Sequence, residues 1–372
     1  MEQLKVIISG GGTGGHIFPA ISSANAIKAI EPHADILFVG AEGRMEMQRV
    51  PDAGYPIIGL PIEGFSRKNP FKNIRVLWKI LRCQLKARKI IRDFKPQAVV
   101  GVGGYASGPT LKTAAQMGIP TLIQEQNSYA GVTNKLLAKS ASKICVAYDG
   151  MERFFPADKI IMTGNPVRQQ LLNATVTHQE AIAQFGLNPA LPTILIIGGS
   201  LGARTINESV LAALDSIQGS GIQIIWQTGK FYRQQIAEEL ERHPKMENLF
   251  VSDFISNMDV AYRAADLVIS RAGASSISEL CMLGKPCILV PSPNVAEDHQ
   301  TKNAMALVQK EAALMVKDAE AQEQLMTLAF EVVRDTQRLN DLSTHIQQLA
   351  LPDSANIIAQ EVIKLATNKT ES

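Results

Sequence analysis

The chain has 372 residues, 46% of them hydrophobic and 19% charged, with 37 basic against 35 acidic side chains and a net charge of +2. That length suits two domains, each able to bury a core, and so small a net charge offers no global field for nucleic acid, so no nucleic-acid partner is expected. Cys83, Cys145, Cys281 and Cys287 form no C-x-x-C pair and no cluster with histidine, and no apolar run reaches the roughly 18 residues of a membrane span, which argues against a disulfide framework, a zinc site and a transmembrane helix. The N-terminus lacks a basic stretch with an apolar core behind it, so a reduced, cytosolic and non-secreted protein is expected.

Val6-Ile7-Ile8-Ser9 runs into Gly10-Gly11-Gly12-Thr13-Gly14-Gly15-His16, after which Ala20, Ile21, Ala24 and Ile27 take up a helical period. This reads as strand, tight loop and helix N-terminus. Glycines let backbone approach a ligand, and the helix start offers unpaired N–H groups suited to phosphate or a polar sugar. His16 at its mouth is a candidate general base, with a purely structural donor as the alternative. Gly10-x-Gly12-x-x-Gly15 also matches the dinucleotide fingerprint letter for letter. That fingerprint wants an acidic residue ending the second strand, whereas Ile36-Leu37-Phe38-Val39 ends at Gly40 with Glu42 beyond it.

Further strands follow at Pro56–Leu60 and Ala98–Val102, and helical stretches between them point to a parallel α/β sheet. From Arg67 to Lys95 the chain carries eleven basic residues and one acidic. Asn69 and Pro70 suit an N-cap and first helical position. On that helix Phe71, Ile74, Leu77, Trp78, Leu81 and Leu85 form one apolar face, Val76, Ile80, Cys83, Ala87 and Ile90 another, with Lys72, Arg75, Lys79, Arg82 and Lys86 in the arc between. One face suffices to dock on the sheet, so the bulkier, lysine-flanked one suits an anionic membrane surface, with a helix buried on both sides and a solvated basic stripe as the alternative. A second glycine loop, Gly103-Gly104-Tyr105, and the strand Thr121-Leu122-Ile123 ending in Gln124-Glu125-Gln126-Asn127 place Tyr105, Glu125 and Asn127 in the crevice of His16, because ligands gather at the carboxyl ends of parallel strands.

Gly164-Asn165-Pro166 punctuates the chain as an inter-domain linker, and the pattern then restarts. Thr193–Ile197 enters Gly198-Gly199-Ser200-Leu201-Gly202, and the strand Leu267–Ser270 leads to Arg271-Ala272-Gly273-Ala274-Ser275 and a helix bearing Glu279. Two doubly wound Rossmann-like domains facing across a cleft, each with its own glycine loops, are the layout of a two-substrate transferase. A dinucleotide-dependent reductase would leave the later loops unexplained.

Gly11-Gly12-Thr13-Gly14-Gly15-His16, Gly103-Gly104-Tyr105-x-Ser107-Gly108-Pro109, Glu125-Gln126-Asn127, Thr163-Gly164-Asn165-Pro166-Val167-Arg168, Gly198-Gly199-Ser200-x-Gly202-Ala203, and Arg271-x-Gly273-Ala274 with Ser278-Glu279, in this order, resemble the MurG glycosyltransferases. The resemblance implies the GT-B fold, with an acceptor and membrane-binding domain of residues 1–166 plus 352–372 and a donor domain of 167–351. It implies an inverting N-acetylglucosaminyltransferase of peptidoglycan synthesis, and so of cell shape and division. Such an enzyme moves GlcNAc from UDP-GlcNAc to the 4-hydroxyl of the muramyl sugar of undecaprenyl-linked lipid I, giving lipid II. Other enzymes of this fold, a UDP-GlcNAc 2-epimerase or a glycolipid glycosyltransferase, and a non-catalytic sugar-nucleotide-binding subunit are the alternatives.

Carried onto these residues, the resemblance puts Phe254 and Ile255 on the uracil through backbone groups, Glu279 on the ribose and Gln300 on the sugar. Ser200, Leu201, Gly202, Arg168, and Ala274 and Ser275 at their helix start would hold the diphosphate. Lipid I would lie on Gly12, Thr13, Gly14, Tyr105 and Asn127, its diphosphate near the Thr13 and Tyr105 loops and its tail along the Phe71 to Leu85 face. His16 is the expected base, Glu125 the next choice, and Asn127 positions the acceptor. No cofactor is expected, and no Asp-x-Asp occurs to clamp a metal. Thr301 stands where many relatives have a second glutamine. A peripheral place on the cytoplasmic face of the cell membrane, beside other cell-wall synthesis proteins, is implied.

Overall fold

The computed structural model describes residues 3–62, 70–172 and 175–367. The chain divides into two compact units, Met1–Val167 with Leu351–Ser372, and Arg168–Ala350.

The first unit is built on seven parallel strands: β1 (Lys5–Ser9), β2 (Asp35–Ala41), β3 (Ile57–Leu60), β4 (Ala98–Gly101), β5 (Thr121–Glu125), β6 (Lys143–Val146) and β7 (Ile160–Met162). They lie in the order β3-β2-β1-β4-β5-β6-β7. Helices cover both faces, which is why the strands are apolar throughout rather than alternating with polar residues. The period of two still sorts the side chains. Ile7, Val99, Ile123 and Ile144 pack against Cys83, Ile90 and Leu111, while Val6, Ile8, Val100 and Cys145 pack against Ile17, Ala24, Ile358 and Val362 on the opposite face. The second set joins helix α1 (Gly14–Ile30) to the terminal helix Ser354–Thr367, so the chain's last element completes the first unit's core.

Three more helices bear on function: α2 (Glu46–Asp52), α3 (Pro70–Phe94) and α4 (Ser107–Gln116). Helix α3 docks through Cys83, Ala87, Ile90 and Ile91, whereas Leu85, on the other apolar face, is 70% exposed. The membrane-facing expectations at Phe71, Lys72, Ile74, Arg75, Leu77, Trp78 and Leu81 lie outside the residues whose side chains are described.

The second unit repeats the plan with six parallel strands: β8 (Thr193–Ile197), β9 (Gln223–Gln227), β10 (Leu249–Ser252), β11 (Leu267–Ser270), β12 (Cys287–Leu289) and β13 (Leu314–Met315), ordered β10-β9-β8-β11-β12-β13. Its core holds Ile194, Ile196, Trp226 and Ile269, and the fully buried Trp226 satisfies its indole N–H on Asn207 Oδ1 at 3.0 Å. In each unit the strand order reverses once, between β1 and β4 and between β8 and β11. A crevice opens at such a switch point beyond the strands' carboxyl ends, and the glycine loops leave the sheets there.

Candidate active site

In the first unit the loop after β1 turns through Gly11 (φ +142°) and Gly12 (φ +89°), with Thr13 as the uncapped N-cap of α1 and Gly14 its first residue. His16 therefore sits in the first helical turn. Its Nδ1 lies 2.9 Å from the Gly11 carbonyl oxygen and 3.5 Å from Thr13 Oγ1. A carbonyl can only accept, so Nδ1 is the donor in this contact; in the neutral imidazole that puts the lone pair on Nε2, the tautomer a base requires. The second glycine loop packs onto the first. A Cβ on Gly103 would stand 2.9 Å from His16 Nε2, and one on Gly104 would strike the Gly11 backbone. Tyr105 follows, half exposed.

Glu125, the alternative base, ends β5. It is 1% exposed, and its oxygens accept from the Asn127 and Gly131 backbone N–H groups at 3.1 and 3.0 Å and from Asn127 Nδ2 and Asn134 Nδ2 at 3.3 and 2.8 Å. A carboxylate so enclosed shapes the 125–134 loop. Asn127 is held by it. A residue the sequence did not point to, Glu46, does similar work beneath the first loop: buried at the start of α2, it accepts from the Gly12 N–H at 2.8 Å and the Ala41 N–H at 3.0 Å.

In the second unit a cavity of about 680 Å³ opens where three loops meet: Gly198–Thr205, Ser270–Ser276, and Ser292–Asn294 with Gln300. Gly202 (φ +88°) turns the first loop, and a Cβ there would come within 2.6 Å of the Tyr232 ring. The helices Arg204–Ala212 and Ala274–Leu283 both begin at this cavity without side-chain caps, so two partial positive charges face it. Arg271 bonds the Val290 and Pro291 carbonyls at 3.0 and 3.2 Å and pairs with Asp318, whose second oxygen accepts from Thr205 Oγ1 at 2.9 Å. Asp318 thus ties two of the cavity's loops and offsets the charge of Arg271. Gln300 Oε1 accepts from the Ser292 N–H at 2.8 Å, bracing the third loop. Ser275 Oγ is buried with no partner, while Ser200 and Leu201 stand exposed at the loop's tip.

Arg168 and Glu279 meet, although 111 residues apart in sequence. Nε and Nη2 of Arg168 donate to the two Glu279 oxygens at 2.8 and 3.1 Å, and the buried Tyr262 hydroxyl adds a third bond at 3.3 Å. Burial alone would lower the Arg168 guanidinium, but the hydrogen bond and charge of Glu279 outweigh it and hold it above its ordinary value. Burial first, then the Glu279 charge, drives the Tyr262 hydroxyl well up. Arg168 is thus paired with a carboxylate in this structure. Ile255 donates its N–H to Gln227 Oε1 at 3.0 Å, and Phe254 exchanges bonds with Ser252 Oγ, so part of the backbone expected to read a base is already engaged. Thr301 Oγ1 donates to Asp298 at 2.7 Å and shapes the start of its helix. Burial pushes the Cys145 and Cys281 thiols up to about 12.

Comparison with known proteins decides the lineage. Residues 6–146 match the glycosyltransferase family 28 N-terminal domain and residues 193–358 its C-terminal domain. A UDP-N-acetylglucosamine--N-acetylmuramyl-(pentapeptide) pyrophosphoryl-undecaprenol N-acetylglucosamine transferase of Bacteroides fragilis is 67% identical over 366 residues, 98% of this chain and 96% of the relative. Its counterpart in Phocaeicola vulgatus is 68% identical over 365 residues, 98% and 97% of the two chains. The crystal structure of Acinetobacter baumannii MurG superposes with a TM-score of 0.77 at 30% identity, covering 97% of this chain and 99% of that one. The chain belongs to the MurG family. A UDP-GlcNAc 2-epimerase of Neisseria meningitidis, with a TM-score of 0.65 at 15% identity over 97% and 100% of the chains, shares the fold alone. Both units are of the GT-B type. MurG motifs account for the glycine loops, whereas Glu46 and Asp318 lie outside every motif that carried the resemblance.

Proposed function

We infer that this MurG-family chain transfers GlcNAc from UDP-GlcNAc to the 4-hydroxyl of the muramyl sugar of lipid I, forming lipid II. The observation that carries this reading is 67% identity over 98% of the chain to a transferase whose name states both donor and acceptor.

The donor lies in the second unit. The helix starts at Arg204 and Ala274 stabilise the diphosphate as charge develops on the departing UDP, with Ser200 and the Gly202 turn beside them. Glu279, held by Arg168 and Tyr262, presents a fixed carboxylate to the ribose, and Gln300 orients the sugar from a braced loop. The acceptor lies on the first unit, over Thr13, Gly14, Tyr105 and Asn127. His16 Nε2 takes the proton of the 4-hydroxyl, whose oxygen attacks the anomeric carbon as the bond to UDP breaks, inverting the configuration. Such a base is typically worth about 10²- to 10⁴-fold, and the helix termini let the reaction run without a metal. The lipid tail leaves along the α3 face that bears Leu85, among Arg82, Arg88 and Lys89, so the protein sits on the anionic cytoplasmic surface of the membrane.

Labelled UDP-GlcNAc supplied with lipid I and a chelator should give the β-linked disaccharide product and UDP in equal amounts. Release of UDP or epimerised sugar without acceptor would instead favour the epimerase chemistry. Replacing Trp78 and Leu81 with serine should reduce binding to anionic vesicles more than turnover of a soluble acceptor; unchanged binding refutes the membrane face.

A further inference from the structure

The peptide between Gly11 and Gly12 is gripped by a side chain at each end. Its N–H donates to Glu46 Oε2 at 2.8 Å and its C=O accepts from His16 Nδ1 at 2.9 Å. Glu46 is 1% exposed, and its other oxygen is fixed by the Ala41 N–H at 3.0 Å. The surroundings are cut to fit. A Cβ on Gly40 would lie 2.6 Å from Glu46 Cγ, one on Gly11 would run into the Glu46 carboxylate, and one on Gly104 would strike the Gly11 carbonyl. Three glycines thus clear the space for one carboxylate and one peptide.

Hydrogen bonds in series polarise one another, more so away from water. A carboxylate on the N–H of an amide makes its carbonyl a better acceptor, and that carbonyl holds the imidazole by Nδ1–H. We propose that Glu46 is the positioning residue of His16, acting through the Gly11–Gly12 peptide as a carboxylate orients histidine directly in a catalytic triad. The proposal rests on the reading of His16 as base. Glu46 touches no substrate and accepts no proton. When Nε2 takes the hydroxyl proton, the imidazolium keeps Nδ1–H on Gly11, and the negative charge of Glu46 faces it across one polarised peptide. The same contacts exclude the other tautomer, in which Nδ1 would point a lone pair at the carbonyl.

Two measurements on the full chain test this. Imidazole ¹⁵N shifts should show His16 as the Nδ1–H tautomer in the native protein, and Glu46→Gln, whose single acceptor oxygen cannot serve both Gly12 and Ala41, should shift it toward Nε2–H. Glu46→Gln should lower kcat by about 10- to 100-fold with KM for UDP-GlcNAc unchanged, yet change the residual rate of His16→Ala by less than about twofold. A native Nε2–H tautomer overturns the relay without any variant, as does an equal loss from Glu46→Gln in both backgrounds, which marks a mere prop for the loop. Near-normal turnover by His16→Ala defeats the base assignment alone, and the tautomer response then still decides whether Glu46 orients the ring.

Discussion

Beneath the glycine loop after β1 lies a carboxylate, whereas the loop after β8 opens on a cavity faced by two helix N-termini. Both loops come from the same local sequence logic: an apolar strand, glycines where φ is positive or backbone must pass close, then a helix. What differs is the charge placed against the backbone. In the first unit Glu46 occupies the Gly12 N–H at 2.8 Å, so a negative charge lies beneath the loop and that one donor is taken, while the uncapped start of α1 beyond it stays open. The loop also carries a histidine. In the second, Asp318 is turned onto Arg271 and Thr205 and the helix ends remain the positive feature of the cavity. A glycine motif therefore announces close backbone approach, and only the side chains packed beneath it say which charge is welcome.

The contrast can be tested from both sides. The largest effect should come from His16→Ala, which removes about 10²- to 10⁴-fold in kcat while leaving KM for UDP-GlcNAc within a few-fold; steady-state kinetics with both substrates varied would show it. Gly103→Ala, whose Cβ would stand 2.9 Å from His16 Nε2 at a φ of +91°, should cost most of the turnover and ~1–2 kcal/mol of stability for the left-handed backbone, read by denaturant unfolding. In the other unit Asp318→Asn should raise KM for UDP-GlcNAc about tenfold, an affinity loss of ~1.4 kcal/mol, with KM for the lipid acceptor unchanged. The smallest effect concerns pH. Burial lowers Lys285 to about 8 from 10.5, so below that pH its charge is held at a cost in the folded state. Because the unfolded chain binds more protons between those two values, this group makes stability rise with pH across that window. The unfolding free energy of wild type relative to Lys285→Met should accordingly move in favour of wild type between pH 8 and 10.

The sequence carried the strands because each is a short apolar run ended by glycine, and the switch points because their loops are glycine-rich. It also carried His16, a titratable group at a helix mouth. Glu46 escaped because it sits in a polar stretch on a short helix, with no periodicity to set it apart. Its signal was indirect: Gly11 and Gly40 both need room for something, and nothing near them in sequence says what. The Arg168–Glu279 pair escaped for a related reason. Each residue stood out singly in the sequence, but only the folded second unit brings them together. Glu125 was legible as a carboxylate at a strand end, but the four N–H donors around it come from a loop whose course the sequence does not show.

The division of labour between the two glycine loops is tested most directly by titrating UDP into Gly11→Ala and Gly202→Ala, two matched substitutions at positive φ. The account predicts that Gly202→Ala loses UDP affinity, while Gly11→Ala binds UDP as the wild type does and fails in transfer. Loss of UDP binding by Gly11→Ala, with Gly202→Ala unaffected, would place the nucleotide on the first loop and contradict the account.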